Sequence, residues 1–523
     1  MSRKNLFLLF ILSLFVAASA SIWIRVPGYM DAEYYFATAD QLVEGNGFSE
    51  PFLWNYLNPP DSLPHASHQY WMPLTSIIAA FSMAIFGETF RDAQRVFILI
   101  TAAIPLLTAM AAYHIHEDSR FALHAGLLAI GSGFFLPFLL TTDSFAPYMV
   151  IGSLILLCTA RAVQTPKLPL WLLVGGLIGL AHLTRADGIL LLGVALLAIW
   201  SSQVSRLQST LILLLGYGVL MLPWWVQSFA ATGSFLSPNA SRVLWLLSYD
   251  ELFAHPAAQL TPQRWLGAGW VTLLTTRIDS LLKDLQNLIG VNGLIFLGPM
   301  MAVGGYVHRH KPIVRIAFSY LLILLLVMSF IFPYAGSRGG FFHSASALMP
   351  ILWALAPLGL HEMIKFGVRK RNWDRESAQR VFGTAMIILA GLITLGLYTV
   401  RVTGSNPQTP KWSATHRVHV QVGEWMAAHA GPGELVAINN PPGFYTAARL
   451  PSIVIPDGGE QQLKSVVEKY DVAWVVLDQN NPGLRTLYEN PDAADWLILE
   501  AQLEPLQGSK VLIFRVDPRV GDS

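Results

Sequence analysis

The sequence predicts a polytopic α-helical membrane protein with a soluble α/β domain at its C-terminus, and three observations carry that expectation. Apolar residues fill 53% of the 523 positions and charged residues only 13%, with a mean hydropathy of +0.47, too apolar for a chain solvated by water alone. Apolar runs long enough to cross ~30 Å of hydrocarbon as helices of about 20 residues recur up to about residue 402. Beyond that point the chain becomes charged and rich in turns.

The apolar runs lie near 5–24, 94–113, 121–140, 146–163, 168–184, 187–203, 208–227, 287–307, 313–333, 342–364 and 381–401, about eleven spans. The first follows Arg3 and Lys4 and ends in Ala18-Ser19-Ala20, which fits an uncleaved anchor or a signal peptide; both readings put the segment after Ser21 outside. A shorter run, 73–87, could cross the membrane or lie along it. If it does not cross, fourteen Lys and Arg fall on the inner face against nine in the outer loops; if it does, the counts are ten and thirteen and KFGVRKR (365–371) lies outside. The positive-inside rule favours the first arrangement. It places the N-terminus in the cytoplasm, and the loops 25–72, 228–286 and 334–342, the turn at Asp143 and the C-terminal domain outside.

The expected domains are therefore 1–402 in the membrane and 403–523 outside it. In the second, β-type runs at 434–438, 452–455, 472–477 and 510–516 alternate with helical patterns at 414–430 and 459–470, as in a small α/β unit. GPGE (431–434) and PDGGE (456–460) lack the glycine spacing of a phosphate loop and read as turns. The balance of 34 basic against 33 acidic residues gives no field for nucleic acid. A single cysteine, Cys158, excludes an intrachain disulfide and a cysteine-based zinc site.

Chemistry-bearing residues gather on the outer side. Asp31 and Glu33 stand in GYMDAEYYFATADQL at the membrane boundary, where a partly desolvated carboxylate is a better proton acceptor, although acids also suit a helix N-terminus. Asp143, in LLTTDSFAPYM, sits between two spans with almost no loop; such depth is costly for an acid without a purpose, though a helix cap would also account for it. Arg185 in HLTRADG and Arg338 in AGSRGGFF suit a phosphate through their planar fork, or can snorkel to headgroups. His65 and His68, three apart in LPHASHQYW, lack a carboxylate at matching spacing, so a metal there has weak support.

Taken together, the acidic motif Asp31-Ala-Glu33, WMPL at 71–74, TTDSFAPY, LTRADGILLL at 183–192 and SRGGFFHSASALMP at 337–350 resemble membrane glycosyltransferases of the GT-C fold. Within them the chain is most similar to the protein O-mannosyltransferase and aminoarabinose transferase branch. The resemblance implies a GT-C-like bundle, a polyprenyl-phosphate sugar as donor, an acceptor hydroxyl on protein, lipid or glycan, and inversion at the anomeric carbon. By the same resemblance Asp31 is the general base, Glu33 assists it, Asp143 binds substrate, and Arg338 with Arg185 holds the donor phosphate. Many relatives carry Lys or His before a Pro-Pro-Leu, where this chain has Met72 before Pro73-Leu74; His68 or Tyr70 would substitute. No cofactor is implied beyond a divalent metal, which some relatives bind and others do not. A transporter or flippase of lipid-linked sugar, or a non-catalytic relative, are the competing readings; no inverted repeat supports the transporter.

Overall fold

The computed structural model describes residues 2–165, 167–235, 240–506 and 508–517; the last six residues of the expected C-terminal domain, 518–523, lie outside them. Every apolar run in the sequence is helical, but the runs are not all full spans. Among the described residues eight helices are long and apolar enough to cross a membrane, or nine if one bent pair counts as a span. Leu168–Thr184 and Ala186–Trp200 are shorter, separated by the turn that holds Arg185. Helix Leu74–Phe86 has 13 residues, about 20 Å at 1.5 Å per residue, too short to cross the hydrocarbon.

The run expected as one span at 287–307 is instead broken. Trp270–Asn292 meets Leu297–Val307 at a bend of 98°, where Leu294 and Ile295 adopt positive φ. Apolar periodicity reports which face is greasy; it carries no information on a reversal of the axis between two greasy segments.

Small residues let the helices touch. A Cβ on Gly359 would lie 1.8 Å from the Met300 carbonyl oxygen, so Leu297–Val307 and Met349–Arg371 meet backbone to backbone, the contact that replaces hydrophobic driving force inside lipid. Large side chains such as Trp171, Tyr148, Tyr320 and Trp353 fill the bundle interior. Leu207, Leu211, Leu215 and Leu222 stay exposed along Arg206–Thr232, a stripe suited to lipid.

The C-terminal region forms a six-stranded sheet in the order Phe52–Leu53, Ser452–Val454, Leu435–Ile438, Val472–Leu477, Ser509–Val516, Leu497–Leu506. The first four strands run parallel and the last two antiparallel. Its edge strand, Phe52–Leu53, belongs to the first outer loop. Helices Ala414–His429, Pro441–Ala448 and Glu460–Tyr470 accompany the sheet; the second of these and the strand Leu497–Leu506 carry no clear periodicity in the sequence.

Candidate active site

Helix Met30–Val43 begins a few residues after the first membrane helix, Arg3–Ser21, and carries Asp31 in its first turn, where the helix dipole favours an anion. Asp143 stands in the turn between Leu136–Leu139 and Phe145–Gln164, fully buried. Its Oδ1 accepts from the Ser144 backbone N–H and hydroxyl, and its Oδ2 accepts from the Tyr29 hydroxyl. A carboxylate oxygen of each acid lies within 4.8 Å of the other. His343 stands between them, its Nε2 3.3 Å from Asp143 Oδ2 and 3.6 Å from Asp31 Oδ2.

His343 is aimed from two sides. Its ring stacks on Phe145 at 4.0 Å, and its Nδ1 lies 2.9 Å from the Gly339 carbonyl oxygen. A carbonyl only accepts, so Nδ1 carries the proton and Nε2 is turned on the two carboxylates. Gly339 adopts φ +149°, a conformation few other residues take. Sequence reasoning missed this histidine. It lies 200 residues from Asp143 and has no spacing signal, so only the fold brings the three together.

The two acids have opposite fates. Burial, then the neighbouring Asp143, pushes Asp31 up to about 6, while His343 and Arg185 restrain the rise. Burial also presses Asp143 upward, but the charge of His343 and the hydrogen bonds from His343, Tyr29 and Ser144 outweigh it and hold Asp143 below the ordinary range. Pairs of carboxyls pushed apart in this way separate a proton acceptor from a fixed anion.

Asp31 and His343 open onto a cavity of about 510 Å³ that is also lined by Arg185, Asp187, Arg338 and Tyr70. Met221, Trp224, Trp225, Met328 and Phe332 give it an apolar side. Arg185 grips Asp187 with two bonds of 3.1 and 2.8 Å, and Asp187 also accepts from the Ser344 hydroxyl. The Arg338 guanidinium lies 5.0 Å over the Tyr249 ring and has no ion-pair partner among the described residues.

Residues 67–226 match the family described as dolichyl-phosphate-mannose-protein mannosyltransferase. That segment contains Asp143 and Arg185 but not Asp31, Arg338 or His343. A comparison with curated proteins finds no match. Among solved structures, ArnT from Cupriavidus metallidurans bound to undecaprenyl phosphate aligns over 98% of this chain and 98% of its own, with a TM-score of 0.58 at 12% identity. Its apo form aligns over 96% and 97%, with 0.57 at 14%. Archaeal oligosaccharyltransferase AglB from Archaeoglobus fulgidus, in complex with an inhibitory peptide and a dolichol-phosphate, aligns over 90% of this chain and 69% of its own, with 0.52 at 14%. The fold is that of the GT-C glycosyltransferases.

Within this GT-C framework the expected site residues divide into two groups. Asp31, Arg185, Arg338, His68 and Tyr70 all line the cavity. Asp143, expected to bind substrate, is not among the residues that line it and contacts His343 and Tyr29. Glu33 does not face the cavity at all: it is fully buried, and its Oε2 accepts from Asn440 Nδ2 at 2.7 Å. One helical position after Asp31 plus one more turns its side chain by about 200° at 3.6 residues per turn, away from the cavity and toward the C-terminal domain. His68, offered as a replacement phosphate contact, is pushed down to about 3 by burial and is bonded to Ser67 and Ser76 at 2.7 and 2.9 Å. It is therefore neutral and supplies no positive charge.

Proposed function

We propose that this protein transfers a glycosyl group from a polyprenyl-phosphate sugar to an acceptor hydroxyl at the outer face of the membrane, with inversion. The observation that carries the reading is one cavity in which Asp31, backed by His343 and Asp143, meets Arg338 and Arg185 beside an apolar side. The acceptor oxygen attacks the anomeric carbon as the bond from that carbon to the phosphate oxygen breaks. Asp31 takes the acceptor's proton, and the bonding electron pair leaves with the phosphate. Arg338 is free to meet the charge that grows there, which matters most in a water-poor site; Arg185, already paired with Asp187 through two of its five N–H groups, contributes the others. The other carboxylate of the wall, Asp187, is held in that bidentate pair. Asp31 is thus the base of a single displacement, which inverts configuration.

Asp31, Asp143 and His343 also fit a divalent cation. Their donor atoms lie within 4.8 Å of one another, and a histidine whose second nitrogen is fixed by a carbonyl is the usual form of a metal-ligating imidazole. A bound cation would supply a Lewis acid for the donor phosphate.

The test uses the purified chain in vesicles with undecaprenyl-phosphate-linked mannose, glucose and aminoarabinose, comparing the natural protein with Asp31→Asn. Transfer should fall by about 10²-fold or more, while undecaprenyl phosphate still quenches tryptophan fluorescence equally in both. Full activity in the variant, or movement of lipid across the bilayer without cleavage of the sugar bond, would overturn the proposal.

A further inference from the structure

The C-terminal domain contributes no described residue to the cavity lining, yet it grips the helix that carries Asp31. Four of its residues reach this helix or the residues flanking it. Asn440 Nδ2 donates to Glu33 Oε2 at 2.7 Å, two residues from Asp31. Tyr445 accepts from Gln41 Nε2 at 3.0 Å, and Arg449 pairs with Asp40 and Glu44. Trp412 donates to the Val26 carbonyl at 3.0 Å and packs edge-on against Tyr29, the residue that donates to Asp143.

Asn440 is built for this contact. Its Oδ1 accepts from the Gly443 N–H at 3.2 Å and caps helix Pro441–Ala448, so the amide is oriented with its Nδ2 on Glu33. Gly443 has no room for a Cβ, which would lie 2.6 Å from both Asn440 Nδ2 and Glu33 Oε2. Glu33 Oε1 is buried without a partner, so the Asn440 bond is the polar tie this side chain has among the described residues. A domain that merely covered the membrane part would not need a buried polar contact at the first turn of the Asp31 helix.

We propose that the C-terminal domain sets the position of Asp31, and that Asn440, acting through Glu33, is a positioning residue for the transfer reaction. The consequence for turnover rests on the function proposed above, while the mechanical tie does not. A reacting group misplaced by about 1 Å loses rate on the order of 10²-fold with little change in substrate binding.

The experiment uses the full chain in vesicles with two readouts. In Asn440→Ala, backbone hydrogen exchange at Met30–Tyr35 should quicken by about tenfold or more, while strand Val472–Leu477 keeps its protection. For a donor that the natural protein uses, kcat should fall by roughly 10- to 100-fold with KM near its natural value. The reversed pair Glu33→Gln with Asn440→Asp restores one donor and one acceptor and keeps an oxygen for the Gly443 N–H. It should recover most of both losses, whereas Asn440→Asp alone, with two facing carboxylates, should not. Unchanged exchange and kcat in Asn440→Ala, or no recovery in the reversed pair, overturns the proposal. Absence of transfer by the natural protein from every donor would sink the function reading instead, and the exchange measurement would still decide the tie.

Discussion

Replacing His343 with alanine removes the imidazole that stands between Asp31 and Asp143 and lowers both of them. The imidazole nitrogen is 3.6 Å from one carboxylate and 3.3 Å from the other. At the effective dielectric of about 20 that suits such sites, one unit-charge contact near 4 Å amounts to about 4 kcal/mol before desolvation is counted. Even a third of that raises Asp31 by about one pH unit, since one unit corresponds to about 1.4 kcal/mol. Asp31 already sits at about 6 under the restraining effect of His343. Because the variant loses a term that lowers it, the shift is upward. A group titrating at about 6 is about nine-tenths ionised at pH 7, whereas one raised by about one unit is about half ionised. Transfer at pH 7 should therefore fall by about twofold, with the acid limb of the kcat profile displaced upward by about one unit and nearly all of the rate returning near pH 9. The assay is donor turnover in vesicles from pH 5 to 9. A His343→Ala enzyme whose acid limb stays at its natural position refutes the electrostatic role. Equal loss at every pH points instead to a ligand or packing function for His343.

Other perturbations give outcomes as definite. Arg338→Ala should weaken undecaprenyl phosphate binding by about 10- to 100-fold, the loss of one charge-assisted hydrogen-bonding group, and Arg338→Lys should restore only part of it because the fork is gone; equilibrium titration by tryptophan fluorescence measures both. Glu33 is raised to about 7 by burial, so the folded state holds its proton more tightly than the unfolded chain does. The cost of ionising it is absent at pH 4 and grows from about 4.5 until it is complete above about 7. Glu33→Gln keeps an acceptor for Asn440 and should raise Tm at pH 8 but not at pH 5, as read by scanning calorimetry; an equal change at both would show that Glu33 is not ionising in place. Gly443→Ala drives a Cβ to 2.6 Å from Glu33 and Asn440 and should lower stability by about 1–3 kcal/mol, as measured by thermal unfolding of the full chain.

The amino-acid sequence by itself determined that lipid solvates the first part of the chain, where most of the apolar helices lie, and which acids and arginines stand at helix ends. These are local properties: solvent preference and periodicity are written in neighbouring residues. It also supplied the turn and strand pattern of the tail, since the β-type runs at 472–477 and 510–516 need no partner to be seen. Only the tertiary structure decided which of these groups meet. His343 enters the site because Gly339 and Phe145 aim it, and both distances are set by helices far apart in the chain. Asp31 and Glu33, read as one motif, part company because a helix turns neighbouring side chains to different faces, one to the cavity and one to Asn440. The strand Phe52–Leu53 joins the distant sheet through backbone hydrogen bonds, which depend on geometry and leave almost no trace in residue identity. Burial, the cause of the shifts at Asp31 and Glu33, exists only once the C-terminal domain and the bundle close over the first loop.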